Sequence, residues 1–307
     1  MKGRILRLLQ EKKGVVSGEK LSSRLGVSRV TIWKHINKLQ EFGYDISATS
    51  NGYQLAGSFD ALYPWEFPER EAKIHYFSEV SSTMDIARNL ARKGSPDFTV
   101  VIAGCQTKGR GRLKRMWHSS IGGLYFTIIL RPQISPVLSP RINFAASLAL
   151  VRVLRKLYGF NAMVKWPNDI LANEKKVSGM LSELEAEGDT VSFINLGMGI
   201  NVNNDPEKKE PGATSIKNIT GKQASRKKLL AEFLNEFENT VHVNALANVI
   251  SRWKKCTTTI GRQVKIVTSQ EVSEGLATDV DENGALILKL ADGSIKNIFY
   301  GDCFHQI

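Results

Sequence analysis

A chain of 307 residues, 42% hydrophobic and 23% charged, is longer than one average domain and has apolar material for two or three cores. No apolar run approaches the about eighteen residues that a bilayer-spanning helix needs. The opening stretch MKGRILRLLQEKKG is interrupted by Glu11, Lys12 and Lys13 and is followed by no small-residue cleavage site, so a helix rather than a signal is expected, with no membrane partner. Cys105, Cys256 and Cys303 are scattered and form no C-x-x-C pair, and His35, His75, His118, His242 and His305 have no ligand spacing. Both patterns argue against a disulfide framework and a transition-metal site, and fit a reducing cytoplasm. The net charge is +12, and residues 1–56 hold ten Lys/Arg against four Asp/Glu. A basic head of this kind suits a polyanion, which it binds by releasing counterions.

Within that head, Leu21, Leu25, Val27, Ile32, Ile36 and Leu39 recur at steps of two to five residues, as two packed helices require, and Gly26 lies between them. Ser28 is a suitable N-cap for a second helix that runs to about Phe42 and ends at Gly43. Its outward residues are Ser28, Arg29, Thr31, Trp33 and Lys34. Arginine can read guanine bidentately while lysine and hydroxyls hold phosphates, so these are the candidate DNA contacts of a recognition helix. YDISATSNGYQLA alternates about Asn51 and Gly52, which predicts a hairpin wing. A winged helix-turn-helix is therefore expected over 1–57.

The next stretch, GSFDALYPWEFPEREAK, has two prolines and no clear period, so residues 58–72 are expected to be a linker. Beyond it, KIHYFSEV, FTVVIAGCQ, LYFTIILR and VSFINLGMGINV are predicted strands, while SSTMDIARNLARKG, INFAASLALVRVLRKLYG and SRKKLLAEFLNEFENTVHV are predicted helices. The fold class is mixed α+β, with an α/β body on a mixed sheet over 73–257. From 258 to 307 short strands meet at Asn-Gly and Asp-Gly turns, as in a small β barrel.

Three segments of the body carry candidate chemistry. QTKGRGRLKRMW places Gly109 and Gly111 among Arg110, Arg112 and Arg115 between two strands, and it matches neither the Rossmann nor the Walker loop. Such a loop lets backbone approach a ligand while guanidinium forks face carboxylate or phosphate oxygens. KWPND, residues 165–169, ends a strand with a cation, an aromatic ring and two oxygen-bearing side chains, and Lys175, Lys176 and Gly179 follow at an expected glycine turn. Asn168 and Asp169 are suited to a Mg²⁺ held mainly by phosphates. LGMGIN brings Gly197, Gly199 and Asn201 to a strand end.

In this order, SSTMD, the GRGR loop with Trp117, KWPND with Lys176 and Gly179, GMGIN and the small β tail resemble the biotin protein ligases. With the head, the whole chain resembles the bifunctional biotin ligase and biotin operon repressor family. The resemblance implies a class II synthetase-like catalytic domain, an SH3-like C-terminal barrel, and a homodimer on a two-fold operator. It also implies a reaction in which biotin and ATP, the latter with Mg²⁺, are substrates and no prosthetic group is bound. Biotinyl-5′-AMP would form and transfer biotin to a lysine of a carboxylase carrier domain. By position, Ser82, Thr83, Met84, Gln106, Gly109, Arg110, Gly111, Arg112, Lys176, Gly179 and Gly199 would serve biotin. Arg112, Arg115, Trp117, Lys165, Asn168, Asp169 and Asn201 would serve the nucleotide, and Arg112 and Lys176 would be catalytic. Trp117 and Trp166 fit ligand contact or packing equally well. The loop departs from the family pattern at Leu113 and Lys114, which replace an arginine and a glycine, and Met84 stands where a polar residue is common. CFHQI lacks a terminal arginine found in some relatives and is expected to have no ligand role. A lipoate or octanoate ligase shares the expected body but lacks the GRGR loop and the head. A sensor without catalysis has less need of Arg112 and Lys176.

Overall fold

In the computed structural model the chain divides into two compact units, Met1–Ala72 and Lys73–Ile307. The structure describes residues 1–12, 14–57, 59–241 and 246–306, with nothing stated of the Lys114 side chain.

The first unit begins with α1 (Lys2–Glu11), α2 (Gly18–Leu25) and α3 (Arg29–Glu41). Ser17 caps α2 by accepting the Lys20 amide, and Ser28 caps α3 by accepting the Thr31 amide, so each helix starts where its hydroxyl satisfies a free N–H. Gly26 between them has φ +66°, which a glycine adopts without strain. Ile5, Leu9, Leu21, Ile32, Ile36 and Leu39 form one core with Tyr44 and Ile46. The wing is the antiparallel pair β1 (Ile46–Thr49) and β2 (Gly52–Leu55). Its register pairs Thr49 with Gly52, so Ser50 and Asn51 form the turn and Gly52 is already in the strand, one position away from the expected Asn-Gly turn. Gly52 is needed for a different reason: a Cβ there would lie 2.2 Å from the Val16 carbonyl, because Tyr53 and Val16 exchange hydrogen bonds of 2.9 and 2.8 Å across the wing.

The expected linker over 58–72 is instead part of this unit, apart from Ser58, which lies outside the described residues. Tyr63 and Trp65 stack at 4.7 Å and both meet Phe42, the Trp65 indole donates to Tyr44 Oη over 2.9 Å, and Tyr44 donates to Glu66. Burying these rings outweighs the freedom that the two prolines suggested.

The second unit is built on a seven-stranded mixed sheet, β3-β4-β5-β9-β8-β7-β6. Its strands are β3 (Ile74–Val80), β4 (Thr99–Gln106), β5 (Leu124–Leu130), β6 (Met163–Lys165), β7 (Asp169–Ala172), β8 (Lys175–Glu187) and β9 (Thr190–Ile200). Only β3 and β4 run parallel. On one face lies α4 (Thr83–Arg92), whose Ala87 and Ala91 join Val101, Ile129 and Phe193. Elsewhere α5 (Pro140–Tyr158) packs on α7 (Arg226–Val241) and α8 (Val249–Lys254), with the short α6 (Ile216–Thr220) between in sequence. His242 and Val243 of the expected last helix lie outside the described residues. The 23 residues Pro136–Tyr158 are long and apolar enough to cross a membrane by length and average composition, although Arg141 and Arg152 interrupt the apolar run, and 61% of the tested window is buried as the core helix of the body. A further difference from expectation is β8: Gly179 lies inside a 13-residue strand, not at a turn.

The tail forms the antiparallel sheet β13-β12-β11-β10-β14. Its strands are β10 (Gln263–Val267), β11 (Val272–Val280), β12 (Leu286–Lys289), β13 (Ile295–Ile298) and β14 (Asp302–His305). Gly284 and Gly293, at φ +88° and +84°, make the expected Asn-Gly and Asp-Gly turns. Closure into a barrel is not part of this pairing.

Candidate functional site

The sheet's topology decides which segments meet. β5, β9, β8 and β7 are neighbours, so the GRGR loop before β5, the GMGIN end of β9, Gly179 of β8 and KWPND before β7 open into one cavity of about 440 Å³. Every site residue expected in the body lines it except Gly109. Gly109 serves the loop: its carbonyl accepts the Trp117 amide over 2.9 Å, and a Cβ on it would lie 2.5 Å from the Trp117 carbonyl.

At one end, Gln106 Oε1 accepts from the Thr83 amide at 2.8 Å and its hydroxyl at 3.1 Å, and Gln106 Nε2 donates to Ser119 at 2.9 Å. Thr127 donates to Thr83 Oγ1 over 2.8 Å. Ser82 occupies the N-cap position of α4 without capping it, and its buried hydroxyl has no partner among the described residues. An unpaired buried hydroxyl costs about 1–3 kcal/mol, which a polar ligand atom would recover. Met84 is buried over Gly197. Arg110 lines the cavity and also meets carboxylates: its Nη2 lies 2.9 Å from Asp85 and 3.5 Å from Glu183, which also pairs with Arg88. Asp85 ends the SSTMD motif without a role assigned from the sequence, and Glu183 does not stand out there.

The cavity floor is backbone. The Trp117 ring lies so close to Gly199 that a Cβ there would be 2.3 Å from Cε2, and one on Gly179 would be 2.9 Å from Cζ3. Lys176 Nζ sits 5.4 Å above the same ring and 2.7 Å from Asp169 Oδ1. Trp117 therefore packs against the floor, while Trp166 is a core residue whose indole donates to the Gly284 carbonyl over 3.0 Å.

At the other end, Arg112 donates to Asn168 Oδ1 at 3.0 Å and to the Gly301 carbonyl at 2.9 Å, and Asn168 donates to the Met180 carbonyl. Burial pulls the Arg112 guanidinium below its ordinary pKa, and Asp302 and Asp169 oppose that shift. Arg115 pairs with Asp302, which also lines the cavity beside Cys303 and Phe304. Gly301 and Asp302, just before CFHQI, thus anchor the loop's arginines, while Cys303 and Phe304 of CFHQI form part of the cavity wall. Lys165 and Asn201 line the cavity too, and Asn201 Oδ1 accepts from Asn204 at 3.0 Å. Leu113 holds φ +50°, a left-handed conformation that a β-carbon disfavours.

On the head, Ser28, Arg29, Trp33 and Lys34 are exposed and Thr31 is partly so. Ser28 and Thr31 hydroxyls lie 3.0 Å apart, occupied with capping.

Fold and cavity define a helix-turn-helix head joined to a body that can hold a long ligand between cationic side chains and a glycine floor. Residues 3–54 match an HTH domain, 76–201 the "Biotin/lipoate A/B protein ligase family", and 259–306 the "Biotin protein ligase C terminal domain". The chain is similar to the "Bifunctional ligase/repressor BirA" of Bacillus subtilis, 34% identical over 94% of this chain and 93% of that protein. It is similar to that of Escherichia coli at 30% identity, over 91% and 89%. The "Biotin protein ligase from Aquifex aeolicus in complex with biotin and ATP" superposes with a TM-score of 0.65 at 29% identity, covering 76% of this chain and 98% of that one. The chain belongs to the bifunctional biotin ligase/repressor family.

Proposed function

We propose that the chain is an ATP-dependent biotin protein ligase that forms biotinyl-5′-AMP, transfers biotin to a lysine of a carboxylase carrier domain, and represses transcription in response to the adenylate. The observation that carries this reading is the meeting of Arg112, Asn168, Asp169 and Lys176 over the Gly179 and Gly199 floor in one cavity.

In the first step a biotin carboxylate oxygen attacks the α-phosphorus of MgATP, a new C–O–P linkage forms, and the bond to pyrophosphate breaks. Two anions must touch, so positive charge fixed in place before reaction is the main requirement. Arg112, held by Asn168 and Gly301, and Lys176, held by Asp169, supply it. Arginine stays protonated throughout the physiological range despite its burial. Thr83, Gln106 and the unpartnered Ser82 hydroxyl form a polar end for the body of biotin, and Arg115, Lys165 and Asn201 face the nucleotide. In the second step the carrier amine attacks the acyl carbon, the acyl–phosphate bond breaks, and AMP leaves. No nucleophilic side chain is required.

Arg110 acts in this scheme by holding its loop against Asp85 and Glu183. The body divides functionally at 257/258 into ligase and C-terminal domains, and two copies present two heads to a two-fold operator when adenylate binding favours a dimer. Cytoplasmic residence accompanies the need for ATP, carrier and DNA. Incubation with MgATP, radiolabelled biotin and a biotin carrier domain tests the ligase: label on the carrier lysine is expected, and octanoate labelling instead would favour a lipoate-type ligase. Operator affinity that is unchanged by biotin and ATP would remove the regulatory coupling.

A further inference from the structure

The outward face of α3 holds two apolar side chains that the head's basic charge does not explain. Val30 is 60% exposed and Trp33 53% exposed, while Ile32, Ile36 and Leu39 of the same helix are buried in the head's core. Spaced three apart, Val30 and Trp33 are neighbours on the helix surface, and exposed Arg29 and Lys34 flank them. Ser28 and Thr31 spend their hydroxyls on each other and on the cap. The first two turns thus present an apolar centre between two cations.

Valine is a weak helix former, and neither residue supports the core from this position, so the fold gains little by placing them there. The charge around them selects the partner, since residues 1–56 have ten basic against four acidic residues and the fold is a helix-turn-helix. In the major groove of a DNA duplex the apolar group on offer is the C5-methyl of thymine, whereas the remaining edge groups are donors and acceptors. We propose that Val30 and Trp33 read thymine methyl groups in each operator half-site, with Arg29 and Lys34 on flanking guanine or phosphate. This rests on the reading of the head as a DNA-binding domain.

Duplexes are selected from a random pool by the full-length protein with biotin and MgATP, and thymines in the selected half-site are then replaced singly by deoxyuridine. That replacement removes one methyl and leaves every hydrogen-bonding group in place. One or two replacements are expected to weaken binding by about four-fold each, the effect of burying one methyl. The same replacements should cost little in Val30→Ala or Trp33→Ala, so that side chain and methyl are coupled in a double-mutant cycle. Both side chains are exposed, and unchanged helical circular dichroism confirms that the variants fold. Equal tolerance of deoxyuridine at every position, or the same penalty in the variants as in the parent, overturns the methyl readout while leaving DNA binding intact. A selection that enriches no sequence overturns the DNA-binding reading, and the methyl readout with it.

Discussion

Arg112 Nη1 donates to Asn168 Oδ1 over 3.0 Å across 56 residues of sequence, which ties the GRGR loop to KWPND. The bond orients the guanidinium before any substrate arrives. Arg112→Gly should therefore lower the rate of adenylate formation about 100-fold or release the adenylate early, by the scale of losing one preorganised charge donor. Asn168→Ala, which leaves the charge but frees its orientation, should cost less, on the order of ten-fold. Pyrophosphate release and adenylate retention on a desalting column separate the two effects. Wild-type rate and retention in Arg112→Gly would remove this residue from the mechanism.

The glycine floor makes a graded prediction. Gly199→Ala puts a methyl 2.3 Å from Trp117 Cε2, so a rigid ring must leave its place, whereas Gly197→Ala meets Met84 Sδ at 2.6 Å, the movable part of a flexible side chain. Biotin affinity measured by calorimetry should fall about ten-fold or more in Gly199→Ala, from an overpacking cost of 1–3 kcal/mol, and less in Gly197→Ala. Equal losses would mean that Trp117 yields as readily as Met84.

What could be seen in the sequence was mostly local. Ser28, Gly26 and Gly43 mark the ends of the head's helices by short-range hydrogen bonding and positive φ, and their places needed no tertiary information. The segment over 58–72 was misjudged because its prolines suggest freedom, while the stacking of Tyr63 and Trp65 on Phe42 depends on a surface made some twenty residues earlier. KKVSGMLSELEAE does not alternate cleanly: four consecutive residues of β8, from Val177 to Met180, are buried at the cavity and the far end is exposed, so its glycine passed for a turn. The site's motifs were legible as ordered glycines and cations. Their anchors were not, since Gly301 meets Arg112 across 189 residues and Asp302 follows no recognisable pattern.

Arg115 and Asp302 give a stability test of that hidden anchor. The Asp302 side chain is only 14% exposed and pairs with the 59% exposed Arg115. Arg115→Ala leaves a largely buried carboxylate without its direct ion-pair partner and with only the field of Arg112 to offset it, and should lower the melting temperature of the body by about 2–4 °C, corresponding to about 1 kcal/mol after solvent screening. Asp302→Asn added to Arg115→Ala should recover most of the loss, because a neutral amide needs no counter-charge. Full additivity of the two substitutions would show that the pair contributes nothing.

His305 should make the body acid-sensitive well above the range where carboxylates titrate. Burial, and then Lys165 and Arg262, push its pKa down to about 4, and Glu174 only partly opposes them. Its Nε2 lies 3.1 Å from Thr259 Oγ1, which accepts the Trp166 amide over 3.0 Å, so the neutral ring belongs to the support of KWPND. Once unfolded, the ring takes up its proton near its ordinary value of 6.5, so between pH 6.5 and about 4 the unfolded chain binds more protons than the folded one. Stability is then full above that window and falls as pH drops through it, by up to about 3 kcal/mol. Glu174, held below its ordinary value of 4.5 by Arg262, begins to add its own loss only below about pH 4.5, at the bottom of that window. His305→Gln removes the titration, so its melting temperature should vary less than the parent's between pH 7 and 4.5. An identical pH slope in the two proteins would assign the acid sensitivity to other groups.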